Sequence, residues 1–133
     1  MRLRHQYMKA KDMKPGHCYR APIKENVPVT AIFRVQGVRE YRFGESCTLL
    51  VEVDEAVRVG PTSKDNDSCE MTVGGSGTLF LDPDDTVHHT NYERLHLLHE
   101  RAEHCIAEFF QDLLWHDAAA AKKYKKHNVK PLI

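Results

Sequence analysis

No charge of either sign dominates this sequence. Lys and Arg total 19, Asp and Glu also total 19, and the formal net charge is zero. Proteins that coat nucleic acid or imitate it carry a strong bias of one sign, so any electrostatic role here falls to local patches. Long hydrophobic runs are missing too. No stretch approaches the roughly 18 apolar residues that span a bilayer. The opening Met1 to Tyr7 is basic and then polar, without the apolar segment of an export signal. The 4 cysteines, Cys18, Cys47, Cys69 and Cys105, are widely spaced and include no Cys-x-x-Cys pair. They predict reduced, partly buried thiols in a cytoplasm rather than disulfides. Internal repeats and low-complexity linkers are also absent.

What is present suits one small α+β domain. The chain has 133 residues, of which 41% are hydrophobic and 29% charged, too apolar for a disordered tail. Residues 1–8 read as a flexible lead-in, and Lys14-Pro15-Gly16 as a turn. Between about residues 17 and 82 the pattern is that of strands. Residues 17–23 fit a first short strand. Val29, Ala31, Phe33 and Val35 alternate with Thr30, Ile32, Arg34 and Gln36, the period of a half-buried strand. Tyr41 and Phe43 alternate with Arg42 before Gly44 turns the chain. Cys47, Leu49, Val51 and Val53 share one face, and Val57 and Val59 follow. Residues 61–68 are all turn formers. Cys69, Met71 and Val73 make another alternating strand, Gly74 to Gly77 a flexible turn, and Thr78 to Leu81 the last strand. Short strands this closely spaced predict a small antiparallel β-barrel or bent sheet.

The period then changes. Thr90-Asn91-Tyr92-Glu93 fits a capping box, in which hydroxyl and carboxylate satisfy reciprocal backbone amides. Behind it Leu95, Leu98, Ala102, Ile106, Phe109 and Leu113 recur at steps of three and four, the stripe of an amphipathic helix. The expectation is one long C-terminal helix over about 91–126 that seals the barrel, within a single domain of residues 9–126, followed by a frayed tail over 127–133. The acidic corner Asp82-Pro83-Asp84-Asp85 is the joint between strands and helix.

Histidines are unusually frequent: 9 occur, and His88, His89, His96, His99 and His104 crowd between residues 88 and 104. His96, His99, Glu100 and Glu103 stand at i, i+3, i+4 and i+7 and so share a helix stripe that suits a divalent metal. The protease motifs are narrowly missed. Glu103 stands where His-Glu-x-x-His needs its second histidine, and Glu100 where the inverted motif needs one. A solvated face with His–Glu pairs at i,i+4 accounts for the pattern more simply, so no cofactor is expected and a metal-dependent enzyme ranks last. His88-His89-Thr90 holds one His-x-Thr where a phosphoesterase needs two. Gly74-Gly75-Ser76-Gly77-Thr78 lacks the Gly-Lys-Ser/Thr ending of a phosphate loop and leads into a strand. Cys18 beside His17, and Cys105 beside His104, have no activating geometry, because neighbouring side chains diverge.

Two features point to binding. Leu97 and Trp115 lie off the core stripe on one side of the expected helix, and Phe110 and Leu114 widen its apolar surface on another. Aromatic anchors of this kind are what interfaces use. The tail carries Lys122, Lys123, Lys125 and Lys126, which suit either phosphates or the helix dipole.

The opening Lys9-Ala10-Lys11-Asp12-Met13-Lys14-Pro15-Gly16-His17-Cys18-Tyr19-Arg20 resembles the first strand region of SH3-like small β-barrels. Short accessory proteins of bacteriophages and other mobile elements begin in this way. The resemblance spans residues 9–60 and rests on the Lys-Pro-Gly turn before a strand. It implies a small barrel and a phage protein, and no catalytic residue. The resulting expectation is a non-enzymatic binding or regulatory protein of the cytoplasm. It would act through Leu97, Phe110, Leu114 and Trp115 on another protein or on its own copy as a homodimer. A nucleic-acid-binding accessory protein using Lys122, Lys123, Lys125 and Lys126 is the alternative.

Overall fold

A computed structural model describes residues 7–24, 27–61, 69–90, 95, 100, 102–116, 118–123 and 130–132. Eight strands form one sheet, six of them five residues or longer: β1 (Tyr7–Lys9), β2 (Cys18–Lys24), β3 (Pro28–Phe43), β4 (Ser46–Pro61), β5 (Cys69–Gly74), β6 (Gly77–Leu81), β7 (Thr86–Thr90) and β8 (Lys130–Leu132). The order across the sheet is β1-β7-β2-β3-β4-β5-β8, with β6 also pairing β4. All pairings are antiparallel except that of β8 with β5. Among the described residues two α-helices lie between β7 and β8, α1 (Ala102–His116) and α2 (Ala118–Lys123). No helix among the described residues is long and apolar enough to cross a membrane.

Turn chemistry sets the first corner as expected. The His17 amide donates to the Lys14 carbonyl, and Gly16 has φ 87°, which is the glycine position of a type II turn with Pro15 before it. The β3–β4 hairpin closes on the two residues Gly44-Glu45, since Phe43 pairs directly with Ser46. Gly44 takes φ 61° while Glu45 does not have a positive φ, the arrangement of a type II′ turn.

That hairpin is one long ribbon where the sequence pattern reads as separate short strands. Its two strands change face partway along. Arg34 pairs with Glu55, Val35 with Val53, and Gly37 with Glu52, so Asp54 and Gln36 are each left over. Two bulges thus lie side by side, one on each strand. A bulge bends its strand and shifts the inward–outward alternation by one. Val57 and Val59 consequently face α1 with Ile32, whereas Leu49, Val51 and Val53 join Ala31, Phe33 and Val35 on the opposite side.

The protein therefore has two apolar cores, one on each side of the sheet. Ile106, Phe109 and Leu113 of α1 pack on one face with Cys18, Met71, Leu95 and Cys105. The bent sheet itself wraps the other core, which holds Tyr19, Leu81, Val87, Ala10 and Met13. Covered on both faces, Thr30 to Phe33 are all buried.

Several expectations are corrected. The sheet is bent and does not close into a barrel, because its ends β1 and β8 pair only with β7 and β5. The helix is short rather than long: α1 starts at Ala102, and the capping-box residue Thr90 is the last residue of β7, paired with Cys18. The Asp82–Asp85 corner is a turn between β6 and β7, not a joint between strands and helix. Tyr7 and Met8 of the expected lead-in form part of β1, and Lys130 to Leu132 of the expected tail form β8.

Gly60 gives a direct check of the packing. A Cβ there would lie 2.6 Å from the Pro28 carbonyl oxygen, a backbone atom held in the neighbouring strand. Gly60→Ala is expected to cost roughly 1–3 kcal/mol. Gly77→Ala, where a Cβ meets nothing within 4 Å, should stay within about 0.5 kcal/mol of the parent. Urea unfolding midpoints would compare the two.

Candidate functional site

Three groups of side chains stand out, and burial separates them. The first lies under α1. Arg20 on β2 is 4% exposed. Its Nε donates to Asp112 Oδ2 at 2.7 Å, its Nη2 donates to Asp112 Oδ1 at 3.1 Å, and its Nη1 pairs with Glu108. His104 Nε2 stands 3.0 Å from Glu108 Oε1, so His104, Glu108 and Asp112 run down one line of the helix at steps of four. Tyr7 caps the end of this group, its ring 5.0 Å from that of His88. Burial pushes the Tyr7 phenol up, with the Asp112 carboxylate adding to the shift and the Arg20 cation opposing it.

An arginine, two carboxylates, a histidine and a tyrosine have the inventory of a catalytic centre. The geometry makes them a clamp. Each of the three guanidinium nitrogens already has a carboxylate partner from the chain itself, so the cation is engaged with α1. Bidentate pairing of this kind fixes the position of α1 on the sheet.

The second group is a pair of imidazoles. His17 Nδ1 and His89 Nε2 are 3.1 Å apart, and the edge of Tyr19 packs against His89 with ring centroids 5.3 Å apart. The tautomers of the two rings set which nitrogen donates across that contact. Two nitrogens fall short of the three protein ligands of a catalytic zinc site. Among the described residues no group of three or more His, Cys, Asp or Glu side chains is placed to hold a metal.

The third group is apolar and lies in water. Beyond the bulges, β3, β4 and β6 form an arm whose inner face carries Val38, Leu49, Val51, Leu79 and Leu81 against the second core. On its outer face Leu50 pairs with Phe80, Arg39 with Leu50, and Tyr41 with Thr48. Tyr41, Phe43 and Phe80 are 41%, 72% and 63% exposed, and all three point to this outer side. Arg39 and Glu52 form an ion pair of 3.4 Å beside them.

The sequence-predicted residues distribute as follows. Leu114 is exposed on α1, whereas Phe110 is half-buried, packed on the α1 core and edge-on to Phe109. Leu97, His96, His99, Lys125 and Lys126 lie outside the described residues, as do the side chains of Trp115 and Lys123. Glu100, Glu103 and Lys122 are exposed. Cys18 and Cys105 are buried thiols, and burial pushes the Cys18 thiol up, away from the reactive thiolate.

The outer face of the arm is absent from the sequence reading, although its members were placed in strands. Which side Tyr41 and Phe43 take depends on the bulge at Gln36, and nothing local marks that residue as unpaired. Arg20 escaped too, because an arginine in a strand ordinarily reads as solvated. The available signal was the pair Glu108 and Asp112, one step beside the apolar stripe of the helix. Comparison with known protein families, characterised proteins and solved structures finds no match.

The clamp makes a testable energetic claim. Removing one partner of a buried ion pair strands the other, at a cost of about 3–5 kcal/mol. Arg20→Met is expected to destabilise by that amount. The double variant Arg20→Met/Asp112→Leu should be more stable than the sum of the single effects predicts, by at least about 1 kcal/mol. Additive losses in urea unfolding would show that the two residues act independently.

Proposed function

We propose that the protein is a non-enzymatic binding module that docks a polypeptide on the outer face of the β3-β4-β6 arm. One observation carries this reading: Tyr41, Phe43 and Phe80 are held in water on a single face, with half-buried Leu50 among them. A large apolar side chain left exposed forgoes roughly 1.5–3 kcal/mol of burial. Single exposed hydrophobes are ordinary, but a rimmed cluster of aromatics on rigid strands is the anatomy of an interface. Arg39 and Glu52 supply the polar edge. The group that most resembles a catalytic centre is engaged in holding α1, which favours binding over catalysis.

A photo-crosslinking residue placed at Phe80 tests the reading in cells that make the protein. The expected result is one discrete adduct, weakened by Tyr41→Ser and Leu50→Ser and missing when the crosslinker replaces exposed Lys11 instead. An adduct pattern at Phe80 no different from that at Lys11 would contradict the proposal.

A further inference from the structure

The arm also has an open edge. β2 pairs with β3 from Pro28 to Arg34, and the last bonds on that side join Val35 to Gly16 and His17. Among the described residues no strand pairs with the outer edge of β3 beyond that point. The turn fixes which backbone groups the edge presents. Phe43 and Ser46 close a two-residue hairpin and so exchange hydrogen bonds. Alternation then turns the amides and carbonyls of Arg39, Tyr41 and Phe43 toward β4, and those of Val38, Glu40 and Arg42 outward. Residues Arg39 to Phe43 are all exposed.

We infer that this edge pairs with the same edge of a second copy, antiparallel and centred on Tyr41, so that the two arms form one continuous sheet. The inference rests on the reading of the arm as a docking surface and adds a second copy at its open edge, beside the outer face rather than over it. Charge selects the register. Two-fold pairing about Tyr41 sets Glu40 opposite Arg42 of the second copy, and Arg42 opposite its Glu40. Both are residues whose backbone groups point outward, so hydrogen bonds and opposite charges coincide. Centring on Glu40 would oppose two glutamates, and centring on Arg39 two arginines. Centring between residues would set the inner face of one copy against the outer face of the other. In the Tyr41 register, Arg39 lies opposite Phe43 of the second copy, a cation beside an aromatic ring.

The monomer holds the same charges in a weaker arrangement. Glu40 and Arg42 already form an exposed ion pair of 3.6 Å within β3, so pairing exchanges one partner for another rather than burying an unmatched charge. Across the junction the two Tyr41 side chains meet, and each outer face with its Phe43, Leu50 and Phe80 runs into the next. The contact is isologous and therefore closes at two copies. The outer edge of β6, Gly77 to Leu81, has no charged residue that would set a register.

Sedimentation equilibrium of the whole chain, with three variants, tests this. The parent is expected to dimerise. Arg42→Glu places like charges opposite one another at two points and should weaken the dimer by more than about tenfold. The double variant Glu40→Arg/Arg42→Glu restores opposite charges with their signs exchanged and should recover it. Glu40→Pro removes an outward amide that β4 does not use, and should give a monomer with unchanged circular dichroism. A monomeric parent, a dimer that survives Glu40→Pro, or a charge swap that fails to restore what Arg42→Glu loses would each overturn the inference. The reading of the outer face stands or falls separately. If the parent is monomeric while Phe80 crosslinks to a different protein, only the second copy is wrong.

Discussion

Gln36 and Asp54 have no partner across the longest hairpin of the protein, and most of the architecture follows from that mismatch. With one extra residue on each strand, pairing resumes in register while both strands exchange their faces. The same ribbon thereby contributes to two cores. Arg34 holds the site from one side, with its guanidinium 3.6 Å from both Asp54 and Glu55, and Glu55 accepts a hydrogen bond from the Leu95 amide. The bulge is thus tied to the segment that leads into α1. A bulge that re-aims a strand is a conserved kind of device in sheets, and here it separates a packed body from a projecting arm.

The two halves of the ribbon meet different demands. Near the body, β3 lies between β2 and β4, under α1 and over the second core, and between Val29 and Val35 only Thr30 and Arg34 are polar. There the buried charge of Arg20 is compensated by Asp112 and Glu108. On the arm, one face still packs inward through Val38, Leu49 and Leu81, but the other meets water with aromatics among its polar residues. That departure from inward-apolar, outward-polar alternation is where consistency across the fold breaks, and such breaks are expected at functional surfaces.

Much of the local structure was legible in the sequence. Pro15-Gly16 and Gly44 announced their turns through the backbone conformations they permit. The alternation of Val29 to Val35 marked a strand, and Ile106, Phe109 and Leu113 marked the buried stripe of the helix. Three things were not legible, each for a physical reason. The odd-numbered apolar residues from Leu49 to Val59 look like a single face, because a one-residue bulge at Asp54 leaves no compositional trace. Thr90 satisfies the spacing of a helix cap, yet its backbone is committed to pairing with Cys18, and strand pairing takes precedence over a local motif. Arg20 and Asp112 are 92 positions apart, a separation no local pattern can bridge. The candidate site suffered most, since it consists of the side on which residues emerge, and that depends on the bulges.

The central claim is that the outer edge of β3 is a pairing surface whose outward backbone groups are satisfied by a second copy. Amide hydrogen exchange, followed residue by residue at two protein concentrations, reads those groups directly. Arg39, Tyr41 and Phe43 donate to β4 and should exchange slowly at both concentrations. Glu40 and Arg42 should exchange slowly in the concentrated sample and rapidly after dilution. Rapid exchange of Glu40 and Arg42 at every concentration, with the β4-bonded amides still protected, would contradict the account.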